Sequence, residues 1–305
     1  AWGESNFGAL GHGGGDGETG EGGDDLSVIT QVGALTNWAK VAAGSNLTTI
    51  CVKTDGTLWS WGDDQAGALG TNHSAGNVSS PVQVGSDTDW ATPSCGFRTS
   101  FCIKTDGTLW FWGYGGYGLR GNGTSANTSS PVQIGSVDTW VQIECGGYNA
   151  IARKEDNTCW TWGHNNSGRL GLGTKLHTSV PTQLAGSWVD IAANRLGGLG
   201  IKADGTLWSW GFNHHGQLGL GDKVNRSIPT QIGTSSSWTK VAAGDRYNCA
   251  AREGDGQWYA WGVNDRGQLG DGTVIKRSSP VQMSAGVTHF GIIDVGTDHI
   301  LAIPE

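Results

Sequence analysis

A Trp-Gly pair recurs six times, at Trp2, Trp61, Trp112, Trp162, Trp210 and Trp261, with spacings of 59, 51, 50, 48 and 51 residues. A period of this size means a repeated unit that buries its apolar face only against its neighbours. Most other tryptophans keep the period. Trp38, Trp90, Trp140, Trp188 and Trp238 stand six residues before the Gly or Asn that opens a turn, and Trp59, Trp110, Trp160 and Trp208 stand two before a Trp-Gly. Trp258 alone is displaced, by one place, with Tyr259 in the shared slot. The 16 tryptophans are therefore architecture first. Function has to lie in what the units do not share.

Within residues 38–85 the unit reads Trp-x-x-Val-Ala-Ala-Gly, a variable patch, Ile-Cys-Val-Lys-Thr-Asp-Gly-Thr-Leu-Trp-Ser-Trp-Gly, a Gly-Ala-Leu-Gly segment and Ser-Ser-Pro-Val-Gln-Val-Gly. Short β-branched and aromatic runs bounded by Gly, Pro, Asn and Asp predict about four strands per unit. Asp55-Gly56, Asp106-Gly107, Asp204-Gly205 and Asp255-Gly256 sit between two such runs, as a two-residue hairpin turn requires, and Asp156-Asn157 fills the same place. No long amphipathic helix is legible. The expectation is an all-β chain, a single closed β-propeller of six four-stranded blades over residues 1–305. Residues 295–303 match the second strand of a unit, and Ala1-Trp2-Gly3 match the end of the third. The N-terminal strand is thus expected to complete the last blade, and removing residues 1–11 to unzip it.

The net charge of −8 speaks against a nucleic-acid partner, and no stretch is apolar enough for membrane insertion. Six cysteines (51, 95, 102, 145, 159 and 249) lack zinc spacing and read as free buried thiols. The eight histidines are scattered without ligand spacing, His214-His215 being the one adjacent pair. No phosphate loop or nucleophile elbow is present, and neither a cofactor nor a metal is expected. Residues 13–25, Gly-rich and acidic, are read as a mobile surface loop. Calcium on Asp16, Glu18, Glu21, Asp24 and Asp25 is conceivable, but the spacing matches no known calcium loop.

The stretches 210–219 (Trp-Gly-Phe-Asn-His-His-Gly-Gln-Leu-Gly) and 261–270 (Trp-Gly-Val-Asn-Asp-Arg-Gly-Gln-Leu-Gly) resemble the regulator of chromosome condensation repeat family, and the resemblance spans the whole chain. It implies a β-propeller; well-known members have seven blades, one more than is read here. The termini are arranged as in the secreted β-lactamase-inhibitor propellers of that family, which dock a partner on one face.

Two windows vary between units, one after the turn Gly and one after Trp-Gly. The resemblance implies a partner-binding surface there. Its candidates are Phe97, Arg98, Tyr148, Arg195, Arg246 and Tyr247 from the first window, with Tyr114, Tyr117, Phe212 and His214 from the second. Arg and aromatic residues dominate protein hot spots; the bland reading is that Arg98 and Arg246 merely pair with nearby Asp. Exchange members of the family use a wedge and a basic tail, and neither is seen. The family's ultraviolet-B photoreceptor uses Gly-Trp-Arg-His-Thr, where Gly96-Phe97-Arg98-Thr99-Ser100 has Phe for Trp.

The chain is read as a non-enzymatic protein-binding or scaffold propeller, extracellular or virion-associated rather than cytoplasmic: a bacteriophage virion or appendage component, or a secreted bacterial protein. The alternative is an enzyme, a hydrolase or lyase with its site at the central channel, with guanine-nucleotide exchange behind it.

Overall fold

The computed structural model describes residues 1, 6–13, 26–34, 36–72, 76–253, 257–283, 290–296 and 300–304. Each legible unit folds into one antiparallel sheet whose strands follow chain order. The first sheet is β1 (Trp38–Ala43), β2 (Thr48–Lys53), β3 (Leu58–Gly62) and β4 (Val78–Gln83). The second is β5 (Trp90–Cys95), β6 (Thr99–Lys104), β7 (Leu109–Gly113) and β8 (Thr128–Gln133). The third is β9 (Trp140–Cys145), β10 (Asn149–Lys154), β11 (Cys159–Gly163) and β12 (Thr178–Leu184). The fourth is β13 (Trp188–Asn194), β14 (Gly197–Lys202), β15 (Leu207–Gly211) and β16 (Arg226–Gln231). The fifth is β17 (Trp238–Ala243), β18 (Tyr247–Arg252), β19 (Trp258–Gly262) and β20 (Arg277–Gln282). A final pair, β21 (Phe290–Val295) with β22 (Ile300–Pro304), repeats the first two strands of the pattern.

The chain divides into two compact units, residues 1–148 and 149–305. Both bury their cores between successive sheets. In the first unit Ile50, Val52, Leu58 and Val84 of one sheet meet Trp90, Cys95, Cys102 and Trp112 of the next. In the second, Leu199, Ile201, Leu207 and Ile232 meet Trp238, Ala250 and Trp261. Strands β2 and β6 are buried at every position, which explains their continuous apolar runs. All six cysteines are free; five are buried and Cys145 is half-buried, and burial pushes the Cys51 and Cys102 thiols up to about 12.

The tryptophan classes have separate jobs. The Trp of Trp-Gly is buried, and in three sheets its indole donates back to the loop of the preceding repeat: Trp61 Nε1 to Ala9 O, Trp210 Nε1 to Arg169 O and Trp261 Nε1 to Gln217 O, each 2.9 Å, while Trp112 Nε1 is buried without an acceptor among the described residues. The half-buried class sits over the Asp-Gly-Thr turn. Asp55 Oδ1 accepts from Thr57 Oγ1 (2.6 Å), and Thr57 Oγ1 accepts from Trp59 Nε1 (2.9 Å). Asp106, Asp156 and Asp204 build the same chain of bonds to Trp110, Trp160 and Trp208. A cation covers each indole, with Lys53 Nζ 3.4 Å from the Trp59 centroid and Lys202 Nζ 3.5 Å from that of Trp208. In the fifth sheet Trp258 drops into the buried leucine slot, and Arg252 stacks on Tyr259 at 4.4 Å instead. Asn157 takes the turn with φ +63°, as its place in the repeat implied.

Each outermost strand carries a proline (Pro81, Pro131, Pro181, Pro229, Pro280), which removes a donor from an edge. The expected completion of the last blade by Trp2-Gly3, and the Asp255-Gly256 turn, lie outside the described residues.

Candidate functional site

Because neighbouring strands run antiparallel, the loop after the first strand of a sheet and the loop after its third strand leave the same end. The Asp-Gly-Thr turn leaves the other. The two variable windows therefore share one surface in each sheet. Backbone bonds tie them: Tyr114 N donates to Arg98 O (2.8 Å), Asp63 N to Leu47 O, Phe212 N to Leu196 O and Val263 N to Arg246 O (3.0 Å each).

In the first unit these loops gather three of the candidate aromatics around a fourth, Tyr148. Its ring lies 5.2 Å from Phe97, 5.8 Å from Tyr114 and 5.6 Å from Tyr117, centroid to centroid. Arg98 stacks on Phe97, with Cζ 5.0 Å from the ring centre. Tyr117 is 44% exposed; the other members are half-buried. Two members carry unfavourable backbone. Arg98 (φ +57°) and Tyr117 (φ +59°) lie in the left-handed region, rarely occupied by long side chains. The Tyr114 hydroxyl reaches over Gly116, where a Cβ would sit 2.1 Å from it, so only glycine allows this packing. Burial, with the nearby Tyr117 and Tyr148, pushes the Tyr114 hydroxyl up and keeps it protonated at neutral pH, while Arg98 pulls weakly the other way.

The second unit is different. Arg195 and Arg246, both exposed, converge on one carboxylate: Arg246 Nε lies 3.2 Å from Asp245 Oδ2 and Arg195 Nη1 4.0 Å from Asp245 Oδ1. The bland pairing thus describes Arg246. It does not describe Arg98, which has no carboxylate within ion-pair distance among the described residues. Phe212 stacks on exposed His214 at 4.3 Å. Tyr247 departs from the predicted surface. It is fully buried, and its hydroxyl donates to Gly296 O (2.9 Å). Tyr247 opens β18 at the position of Thr48, Thr99 and Asn149, all buried, so aligning the strands rather than the turns would have placed it inside. Window residues Glu4, Ser5, Thr297 and Asp298, and the five acidic residues considered for calcium, lie outside the described residues.

One pair escaped the sequence reading. His164 and His177 stack with ring centres 4.7 Å apart, and His177 Nδ1 accepts the Asn165 N–H (2.9 Å). In the sister loops an asparagine does this work: Asn77 Oδ1 accepts from Asp64 N, Asn127 Oδ1 from Gly115 N and Asn225 Oδ1 from Asn213 N. The signal was available as a histidine in an asparagine slot. Burial, then Arg169 and His177, push the His164 imidazole down to about 4. Between about 6.5 and 4 the unfolded chain takes a proton that folded His164 refuses, so its contribution to stability is complete above 6.5 and is lost as pH falls. Melting at pH 7.5 and 4.5 should show a loss on the order of 2 kcal/mol from this site. A His164→Phe chain should lose correspondingly less; equal losses in both chains would clear His164 of the effect.

Repeated four-stranded sheets with variable loops at a common end define a repeat protein of the β-propeller class. The chain belongs to the family described as the RCC1-like domain, whose pattern matches residues 1–305. Human WBSCR16 superposes with a TM-score of 0.84 at 21% identity, covering 99% of this chain and 80% of that one. The yeast RCC1 (Prp20) structure with Kap60 bound gives 0.83 at 19%, covering 99% and 75%. Human E3 ubiquitin-protein ligase HERC2 is 31% identical over 128 residues, which are 40% of this chain but only 2% of that protein.

Proposed function

We propose that this chain is a non-enzymatic protein-binding propeller that docks its partner on the loop end of its sheets, centred in the first unit on Tyr148. The observation that carries this reading is the Phe97, Arg98, Tyr114, Tyr117, Tyr148 cluster, because rigid aromatic rings beside an arginine bury area with little loss of entropy. The relatives lend support of a general kind. One yeast structure is of RCC1 with Kap60 bound, and another describes binding of Prp20p to Gsp1p and histones. No specific observation favours a hydrolase, a lyase or nucleotide exchange.

Affinity capture from the source organism, with the intact chain and a Tyr117→Ala, Tyr148→Ala chain, tests the reading. A partner held by the first and lost by the second is expected. Equal retention by both would move the site elsewhere, and no partner for either would sink it. The proposal includes an extracellular or virion-associated setting, which rests on the Ser-, Thr-, Asn- and Gly-rich repeats alone and is checked by asking whether secreted or particle fractions contain the chain.

It also includes a sixth blade closed by the N-terminal strand. Deleting residues 1–11 is a poor test, since Ala9 O accepts from both Trp61 Nε1 and Thr49 Oγ1. Deleting residues 1–5 spares those bonds. Faster amide exchange in β22 is then expected, and unchanged exchange would overturn closure.

A further inference from the structure

We infer that the Tyr148 cluster is built to receive one carboxylate side chain of its partner, an Asp or Glu seated on the Arg98 guanidinium. This rests on the protein-binding reading above and adds the chemistry of the contact.

Four other arginines are already paired, whereas the Nε of Arg98, and that of Arg120 in the loop after β7, has no acceptor among the described residues. Arg195 and Arg246 share Asp245, Arg226 pairs with Asp222, and Arg277 with Asp271 at 2.8 Å. Arg98 has neither a carboxylate partner nor, at its buried Nε, any hydrogen-bond acceptor among the described residues. Its guanidinium lies over the Phe97 ring, which offers no full opposite charge. A half-buried guanidinium without an anion is a costly arrangement, and a charge-assisted, bidentate bond to a carboxylate is what removes the cost.

The surroundings favour that ligand. The Arg98 backbone is fixed in its left-handed turn by the bond from Tyr114 N to Arg98 O, so the guanidinium leaves from a set point. Tyr114 beside it stays a neutral phenol at physiological pH and does not compete as an anion. A docked partner would cover the rings of Tyr117 and Tyr148 and exclude water from the contact, where a charge pair is worth more than in bulk solvent. The chain carries a net charge of −8, so an acidic partner is drawn in only where a local cation outweighs that field, which makes the contact selective for position.

Two displayed random-peptide libraries, identical except that one lacks Asp and Glu, test the inference. On the intact chain the acid-containing library should be enriched about tenfold over the acid-free one, with an acidic residue fixed in the winners. Arg98→Gln should abolish that preference, and Arg98→Lys should restore part of it, with both variants melting like the parent. Equal enrichment from the two libraries, or an unchanged preference in Arg98→Gln, would overturn the carboxylate and leave the protein-binding reading standing. Winners insensitive to Tyr148→Ala would place binding off the cluster and overturn it too. No enrichment from either library would remove both.

Discussion

Trp210→Ala is expected to cost about 3–5 kcal/mol, the range for deleting a fully buried tryptophan. The ring has no exposed surface and packs with Ile151, Cys159, Leu184, Trp188 and Ile191. It lies edge-on to Trp188 with centroids 5.5 Å apart, and Nε1 donates to Arg169 O. Gly198 exists to admit it: a Cβ there would fall 2.4 Å from the indole. The truncation leaves a cavity, a carbonyl without its indole donor and a gap beside Gly198, which has no side chain to fill it. At roughly 2–4 °C per kcal/mol for a chain of this size, the melting temperature should fall by about 10 °C. Trp208→Ala, two residues away, should cost less than half as much, because that ring is only half-buried, at the margin of the same core and beneath Lys202. Equal losses would show that the two tryptophan classes are not energetically distinct.

Gly113→Ala should be nearly as damaging, by about 3 kcal/mol, and it should also disturb the site. Gly113 has φ +96°, and a Cβ there would lie 2.4 Å from Arg98 O. The clash is with backbone, so no rotamer change relieves it. What must yield is the turn that presents Arg98 and accepts the Tyr114 N–H. Gly85→Ala is the control, since Gly85 has φ +63° with open space around its missing Cβ. It measures the conformational cost alone, about 1 kcal/mol. Calorimetry on both chains separates the terms, and equal destabilisation would mean that the clash relaxes freely.

The same glycine explains why Trp-Gly is the mark of the repeat. At this position the third strand slips its register against the fourth, between Ser60 and Gly62 in the first sheet and between Phe111 and Gly113 in the second. The bulge lets the chain turn out of the sheet into the variable loop. The tryptophan before it anchors the strand to the preceding repeat. A dipeptide that is both core and exit cannot drift, and so it kept its spacing where the loops did not.

Local chemistry determined what could be read from the sequence. Strand periodicity and hairpin turns at Asp-Gly follow from residues close in the chain, the constant spacing marked the Trp-Gly indoles as core, and five four-stranded sheets came out where the repeat put them. The variable windows were legible by comparing units. What the windows do was decided by packing between sheets. Phe97, Tyr117 and Tyr148 follow three different strands, β5, β7 and β9, and they meet because sheet stacks on sheet, a relation that no local pattern encodes. Arg98 and Arg246 look alike in the sequence, yet one has an aspartate within reach and the other has only rings. Tyr247 went inside because its register is counted along the strand, and His164 found His177 because a loop of the same sheet folds back over it. The sequence determined the repeat and its turns, since those depend on neighbours a few residues away; the tertiary structure decided which arginines meet a carboxylate and which meet a ring, since that depends on groups brought together from distant strands.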